Sequence, residues 1–346
     1  MEIALYRKYR PQIFKEVKGQ DHIVRVLENE AKTGKINHAY LFSGSRGTGK
    51  TTIARIFAKA IGVNSEDIYE IDAASNRGID EIRAIRDAVH TYPYSSKYKV
   101  YIIDEVHMLT KEAWNAFLKT LEEPPEHVIF IMATTEQHKL PDTVVSRCEC
   151  FAFKKPTHGT LVDSILKVAK EEEYEIEKKS ASLIATLADG SFRDAFSILQ
   201  KAMHSSNDKK LSVAEIENVL GAPKSSLILE VLEAISEQNT EKGINAVRVA
   251  SEENADMQVF LKMILRSLRF VLLLRFAPDM KSLVIDETGE EEFQKLEKLS
   301  NPSTDGAKNI NSKTLLLFLE NYSRQTYASI PELPIELAII DSINEK

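Results

Sequence analysis

Eight residues, Gly44-Ser45-Arg46-Gly47-Thr48-Gly49-Lys50-Thr51, constrain this chain more than any other stretch. They match G-x-x-x-x-G-K-[ST], and they lie between an apolar β-type run, Ala39 to Ser43, and a helical pattern that starts near Thr51. A glycine-rich turn joining a strand to a helix N-terminus forms a cradle for phosphate, because its backbone N–H groups and the helix dipole point at the anion. Lys50 then meets the β and γ phosphates, Thr51 supplies a Mg²⁺ ligand, and Gly44, Gly47, Thr48, Gly49 and Thr52 complete the phosphate-binding set. Such a loop requires a parallel α/β sheet around it.

About fifty residues on, Val100-Tyr101-Ile102-Ile103-Asp104-Glu105 is an apolar strand that ends in two carboxylates. At this distance from a phosphate loop, Asp104 is expected to help hold Mg²⁺ and Glu105 to orient the attacking water. Ala133-Thr134-Thr135 ends the next buried strand, where a hydroxyl could touch the γ-phosphate or the water. Threonine is also a routine strand residue, so position alone decides little. Ser146-Arg147-Cys148 and Gly190-Ser191-Phe192-Arg193-Asp194-Ala195 each place an arginine just outside the expected P-loop neighbourhood, though an isolated arginine is most often a solvated surface group.

From His38 to Phe153, β-rich runs alternate with helical patterns: Ala39 to Ser43, Ile68 to Ile71, Lys99 to Ile103, Val128 to Ala133 and Glu149 to Phe153. That alternation implies βαβ units. After Pro156 and Gly159 every periodic segment reads as helix: Leu161 to Tyr174, Lys178 to Ala188, Ser191 to His204 and Val213 to Leu220, a small lid closed by Gly221 and Pro223. Longer helices follow from Leu227, interrupted by loops expected at Asp286 to Gly289 and Asn301 to Lys308. The expected division is a P-loop α/β domain over 1–156, a helical lid over 157–221 and an all-α collar over 222–346. A net charge of −7 gives no global case for nucleic acid, but basic residues outnumber acidic ones 23 to 21 over 1–156 and trail 22 to 31 over 157–346, so any polyanion site belongs to the N-terminal part. Cys148 and Cys150 sit too close to staple a fold, and Met1 to Arg10 has no apolar core of a signal peptide, so the cytoplasm is the expected compartment. Val259 to Phe276 is apolar but carries Lys262, Arg266, Arg269 and Arg275 at helical spacing, which suits an amphipathic helix rather than a membrane span.

Taken together, Tyr6-Arg7-Lys8-Tyr9-Arg10-Pro11, Val17-Lys18-Gly19-Gln20, the P-loop, Ile71-Asp72-Ala73-Ala74-Ser75, Asp104-Glu105-Val106-His107-Met108, Leu118-Lys119-Thr120-Leu121-Glu122-Glu123-Pro124-Pro125, Ala133-Thr134-Thr135 and Ser146-Arg147-Cys148 resemble, in this order, the gamma/tau subunits of bacterial replicative clamp loaders, a family of AAA+ ATPases. The resemblance is dense through residue 220. It implies that Tyr9, Arg10, Pro11 and Val17 border the adenine, that Thr135 is the sensor 1 residue, that Arg193 is the sensor 2 arginine, and that Arg147 is an arginine finger acting in trans on a neighbouring subunit's nucleotide. It implies ATP and Mg²⁺ as cofactors. The implied partners are delta and delta prime subunits, further copies of this chain, the sliding clamp and primer-template DNA. For the DNA backbone the candidates are Arg77, Arg83 and Arg86, and Lys111, Asn115 and Lys119 on the helix after Asp104-Glu105.

Family members usually carry a four-cysteine zinc module between the P-loop helix and the Glu-Ile-Asp-Ala-Ala-Ser strand. Ala60 to Tyr69 has no cysteine here, and tetrahedral zinc needs four ligands, so no structural zinc is expected. The polymerase- and helicase-binding tail of a long tau form is also absent, so a short gamma-like product or a piece of a longer chain is expected. The function implied is an ATP-driven motor that opens the clamp and closes it on DNA. A non-hydrolysing scaffold subunit or a related AAA+ DNA-remodelling motor, such as a branch-migration helicase, is the alternative.

Overall fold

The computed structural model of the chain describes residues 3–301, 309–325 and 328–344. They form two compact units, Met1–Leu161 with Ala188–Ser197, and Val162–Leu187 with Ile198–Lys346. In the first unit α1 (Leu5–Lys8) and α2 (Asp21–Thr33) precede β1 (Ala39–Ser43), α3 (Lys50–Ala60), β2 (Ile68–Asp72), α4 (Ile79–Ala88), β3 (Lys99–Asp104), α5 (Lys111–Glu122), β4 (Val128–Thr134), α6 (Asp142–Val145) and β5 (Glu149–Ala152). The strands pair in parallel in the order β2-β3-β4-β1-β5. β1 and β4 therefore lie side by side in the middle, and the C-terminal ends of β1, β3 and β4 meet at one edge.

Side chains of the inner strands alternate between two apolar layers, as the pleat requires. Ala39, Leu41, Tyr101, Ile103, Val128, Phe130 and Met132 face Ile82, Ile85, Trp114, Phe117 and Leu121 of α4 and α5. Tyr40, Phe42, Val100, Ile102, Ile129, Ile131 and Ala133 face Ile23 and Leu27 of α2 and Ile53 and Phe57 of α3. With both faces covered, these strands read as continuous apolar runs. Phe130 is fully buried, with the Phe117 ring edge-on at 5.0 Å. The turn before β3 is seated by Asp67, fully buried, whose carboxylate accepts from the amides of Tyr94 and Ser95, the latter at 2.9 Å. Burial alone would raise this carboxyl, but the Ser95 and Tyr94 amides outweigh it and hold its pKa down at about 2.

Further along the chain come α7 (His158–Glu171), β6 (Glu175–Ile176), α8 (Lys178–Leu187), α9 (Phe192–Ser205), β7 (Lys210–Leu211) and α10 (Val213–Leu220). These are followed by α11 (Ser225–Glu237), α12 (Thr240–Glu252), α13 (Met257–Phe276), α14 (Lys281–Thr288), α15 (Glu290–Ser300), α16 (Ser312–Gln325) and α17 (Leu333–Asn344). The second unit's core gathers around α13, where Phe260, Ile264, Leu268 and Val271 pack with Leu232, Phe293, Phe318 and Ile339. Two basic residues of α13 find partners there: Arg275 donates to the carbonyls of Ser300, Leu299 and Ile310, and Arg266 pairs with Glu287 at 3.0 Å. No helix of the described residues is long and apolar enough to cross a membrane.

Two expectations need correction. The region after Pro156 is not wholly helical, because β6 and β7 pair in parallel, and a two-residue strand is too short to carry a periodic signal. The loop expected at Asp286 to Gly289 is instead the end of α14, which runs to Thr288; the Arg266 pairing neutralises Glu287, and the helix breaks only at Gly289, φ 80°. The second expected loop, Asn301 to Lys308, lies outside the described residues apart from Asn301.

Candidate nucleotide-binding site

The P-loop leaves the end of β1 and enters α3 with Gly44, Gly47 and Gly49 at φ 147°, 74° and 101°, backbone that side-chain-bearing residues rarely adopt. A Cβ at Gly49 would meet nothing within 4 Å, so the space over the N-terminus of α3 is open. Gly47 is needed for a second reason: a Cβ there would fall on the Ser191 hydroxyl. Ser191 in turn accepts from the Asp194 amide at 3.1 Å, and the next amide, Phe192, donates to the Gly47 carbonyl at 3.1 Å. The start of α9, with Arg193 in its first turn, is thereby fastened to the loop.

Lys50 is buried at 6% exposure, and its ammonium donates to the carbonyls of Gly44 at 2.7 Å and Ser45 at 3.0 Å. Burial pushes its pKa down, with the Glu105 and Asp104 carboxylates opposing the shift. Thr51 Oγ1 donates to Asp104 Oδ2 at 2.7 Å, joining the residue after the loop lysine to the end of β3. Thr51 and Asp104 thus offer adjoining hard oxygens, the donor set that suits Mg²⁺, beside an open phosphate cradle, so the residues fit a magnesium nucleotide. Glu105 follows in the left-handed region, φ 50°, and accepts from Thr135 Oγ1 at 3.2 Å. Thr48 donates to Ser45 O at 2.8 Å and stiffens the loop.

The other expected residues distribute as follows. Arg10 donates through Nε to Thr52 Oγ1 at 2.9 Å, on the first turn of α3. Tyr9 lies against Phe196 at 6.4 Å, Pro11 is part-buried, and Val17 packs on the layer under α3. The Arg193 guanidinium lies over the Tyr6 ring at 5.1 Å. Arg147 pairs with Glu122 at 2.7 Å and donates to Thr143 O at 2.6 Å. Arg77, Arg83, Lys111, Asn115 and Lys119 are all exposed, with Lys111, Asn115 and Lys119 on one face of α5, while Arg86 is part-buried and hydrogen-bonds Asp87. Among the described residues no group of three or more His, Cys, Asp or Glu side chains could hold a metal ion.

Reading the residues alone missed three participants. Gln20, 1% exposed, links Lys154 O at 2.7 Å to the Lys154 amide and reaches Thr48 O at 3.5 Å, tying the loop to the chain after β5. His107 stands beside Glu105, and Ser191 beneath Gly47. The adjoining Gly19 was the one local signal at Gln20, whose burial only the fold reveals; nothing local signalled the other two.

The comparisons agree with this geometry. Residues 19–74 and 62–157 match the family described as DNA polymerase III, delta subunit; 161–208 match the DNA polymerase III clamp loader subunit ATPase lid domain; and 211–305 match DNA polymerase III subunits gamma and tau domain III. Subunit tau of Bacillus subtilis is 41% identical over 314 residues, covering 85% of this chain and 56% of that protein. Subunit tau of Escherichia coli is 37% identical over 298 residues, 80% of this chain and 46% of that one. Subunit gamma of Buchnera aphidicola subsp. Schizaphis graminum is 36% identical over 313 residues, 84% and 86% of the two chains. The chain thus spans about half the length of these tau relatives and most of the gamma one. Among solved structures, the Thermotoga maritima RuvB Holliday junction branch migration motor superposes with a TM-score of 0.53 at 22% identity over 66% of this chain and 80% of that one, a likeness of fold alone. With a five-stranded parallel sheet carrying the P-loop, a lid and a helical domain, this chain has the AAA+ architecture and belongs to the DNA polymerase III gamma/tau subunit family.

Proposed function

We propose that this chain is the ATP-driven motor subunit of a bacterial DNA polymerase III clamp loader, binding and hydrolysing ATP to place a sliding clamp on primer-template DNA. The observation that carries the reading is the junction of Thr51 with Asp104 at 2.7 Å beside a buried Lys50 and a Glu105 held by Thr135. A scaffold subunit that had abandoned hydrolysis has no reason to keep all four groups in register. Residues 1–156 act as the ATPase domain, 157–221 as the lid and 222–346 as the oligomerising collar.

On nucleotide binding Lys50 exchanges the Gly44 and Ser45 carbonyls for the β and γ phosphates, and the amides of Gly47, Gly49 and Lys50 line the cradle. Thr51 and Asp104 would hold Mg²⁺, which when bound would supply positive charge to offset that of the phosphoryl oxygens. Glu105 orients the attacking water, with Thr135 steadying its carboxylate. Tyr9, Arg10, Pro11 and Val17 border the adenine, and Arg193 reaches the nucleotide from α9. Arg147 serves the neighbouring subunit's nucleotide, for which it leaves Glu122 for a phosphoryl oxygen. Arg77, Arg83, Lys111, Asn115 and Lys119 contact DNA phosphates, a few per subunit of a spiral. Delta, delta prime, further copies of this chain and the clamp are the partners, the cytoplasm is the compartment, and no zinc is bound.

The test is transfer of a fluorescent clamp onto primed DNA by the complex reconstituted with delta and delta prime. Lys50→Ala should leave the fold intact, remove ATP binding and stop transfer. A folded Lys50→Ala complex that binds ATP with unchanged affinity, or that still loads clamp, would refute the reading.

A further inference from the structure

His107 lies in a short 3₁₀ turn, Val106–Met108, directly after the Asp104-Glu105 pair. Its side chain is only 7% exposed, and both edges of the ring are engaged. Nε2 lies 3.1 Å from Glu136 Oε2, while Nδ1 lies 3.0 Å from Thr134 Oγ1 and 3.4 Å from Glu105 Oε2. A carboxylate only accepts, so each ring nitrogen that faces one acts as a donor, Nε2 toward Glu136 and Nδ1 toward Glu105, with the Thr134 hydroxyl accepting beside it. Glu136 is itself braced by Lys139 Nζ at 2.8 Å and by its own amide, which donates to Thr134 Oγ1 at 3.0 Å. The ring is therefore held from behind and presents its other edge to Glu105.

Glu105 needs such support. Its backbone sits in the left-handed region, φ 50° and ψ 42°, which few side-chain-bearing residues adopt and which the surroundings must hold in place. Only Thr135 and His107 touch its carboxylate among the contacts described, and Thr135 engages the same oxygen, Oε2. Oε1 is left for a water. We propose that His107 is a positioning residue for hydrolysis: its Nδ1 edge, with the Thr135 hydroxyl, pins Glu105 Oε2 and so fixes the rotamer from which the carboxylate orients the attacking water. The proposal rests on the reading of Glu105 given above. Misplacing a reacting group by about an ångström costs on the order of 100-fold in rate, so a modest slackening of this contact is readable.

Two isosteric replacements separate the ring's edges. Asparagine sets its amide where Nδ1 stands, toward Glu105 and Thr134; glutamine sets its amide where Nε2 stands, toward Glu136. In the assembled complex with clamp and primed DNA, His107→Leu is expected to lower the kcat for ATP by about 10-fold or more while KM stays within about 2-fold. His107→Asn recovers most of that loss and His107→Gln does not. A leucine variant with wild-type kcat, or equal behaviour of the asparagine and glutamine variants, would overturn the proposal.

A second measurement needs no turnover. In the chain labelled with ¹⁵N-histidine, with the ring resonances assigned by their disappearance in His107→Asn, Glu105→Gln should move the Nδ1 resonance of His107 far more than Nε2. An unmoved Nδ1 also overturns the proposal. A wild-type complex with no ATP turnover overturns the reading of Glu105 and this role with it. The two failures stay distinct, because in one case no variant has turnover to lose and in the other the leucine variant keeps pace with an active wild type.

Discussion

Gly47→Ala probes the seam between the P-loop and the first turn of α9. At φ 74° an alanine costs about 1–2 kcal/mol relative to glycine. The new Cβ would also stand 2.9 Å from Ser191 Cβ and 3.3 Å from its Cα, with the Ser191 hydroxyl nearer still, so that buried side chain must swing away. Ser191 Oγ then loses the Asp194 amide, a helix cap worth about 1 kcal/mol. The expected destabilisation is about 2–3 kcal/mol, which at about 1–3 kcal/mol per molar urea shifts the midpoint down by about 1 M. The chain's single tryptophan, Trp114, is buried in the core of the same unit, so its fluorescence in urea reports this unit's unfolding. In a Ser191→Gly background the obstruction and the cap are already gone, and the same substitution should cost about 1 kcal/mol less. Equal penalties in the two backgrounds, within about 0.5 kcal/mol, would refute the claim that Gly47 is chosen for its fit to Ser191.

Acid sensitivity of this unit should run in part through Asp67. Its folded pKa of about 2 lies below the ordinary 3.8, so its contribution, about 2 kcal/mol, is present above pH 3.8 and lost as the pH falls through about 2. Asp67→Asn should reduce the loss of unfolding free energy between pH 5 and pH 2, followed by Trp114 fluorescence in urea, by about 2 kcal/mol, or about 1 M in midpoint at about 1–3 kcal/mol per molar urea; parallel wild-type and variant curves would contradict it. A trans finger predicts that complexes mixed from Arg147→Ala and Lys50→Ala subunits recover some hydrolysis that neither parent shows, whereas mixed complexes never above their parents would place Arg147 in cis. Elemental analysis of purified, untreated protein should find no stoichiometric zinc, and one zinc per chain would overturn that expectation.

The core of the site was legible because its signals are local. Gly44 to Thr51 sits between a strand and a helix that lie where the pattern requires, and the apolar run ending in Asp104-Glu105 becomes β3 with its carboxylates at the sheet edge. What escaped is made by contacts between elements far apart in the chain. Gln20 bonds Lys154 across 134 positions, Glu122 holds Arg147 across 25, and neither pairing leaves a periodic trace. His107 looked like one more residue of a conventional motif, and only the return of β4 brings Thr134 and Glu136 to its two ring edges. The acidic end of α14 misled for a related reason: a run of carboxylates favours loop only until a distant arginine, here Arg266, neutralises one of them.

The central claim is that ATP turnover by this chain drives clamp loading, and the most direct measurement is the steady-state hydrolysis rate of the reconstituted complex with and without clamp and primed DNA. The account predicts a basal rate that rises when clamp and primed DNA are added together and that Glu105→Gln abolishes while leaving ATP binding intact. A wild-type rate no higher than that of the Glu105→Gln complex under every condition would contradict it.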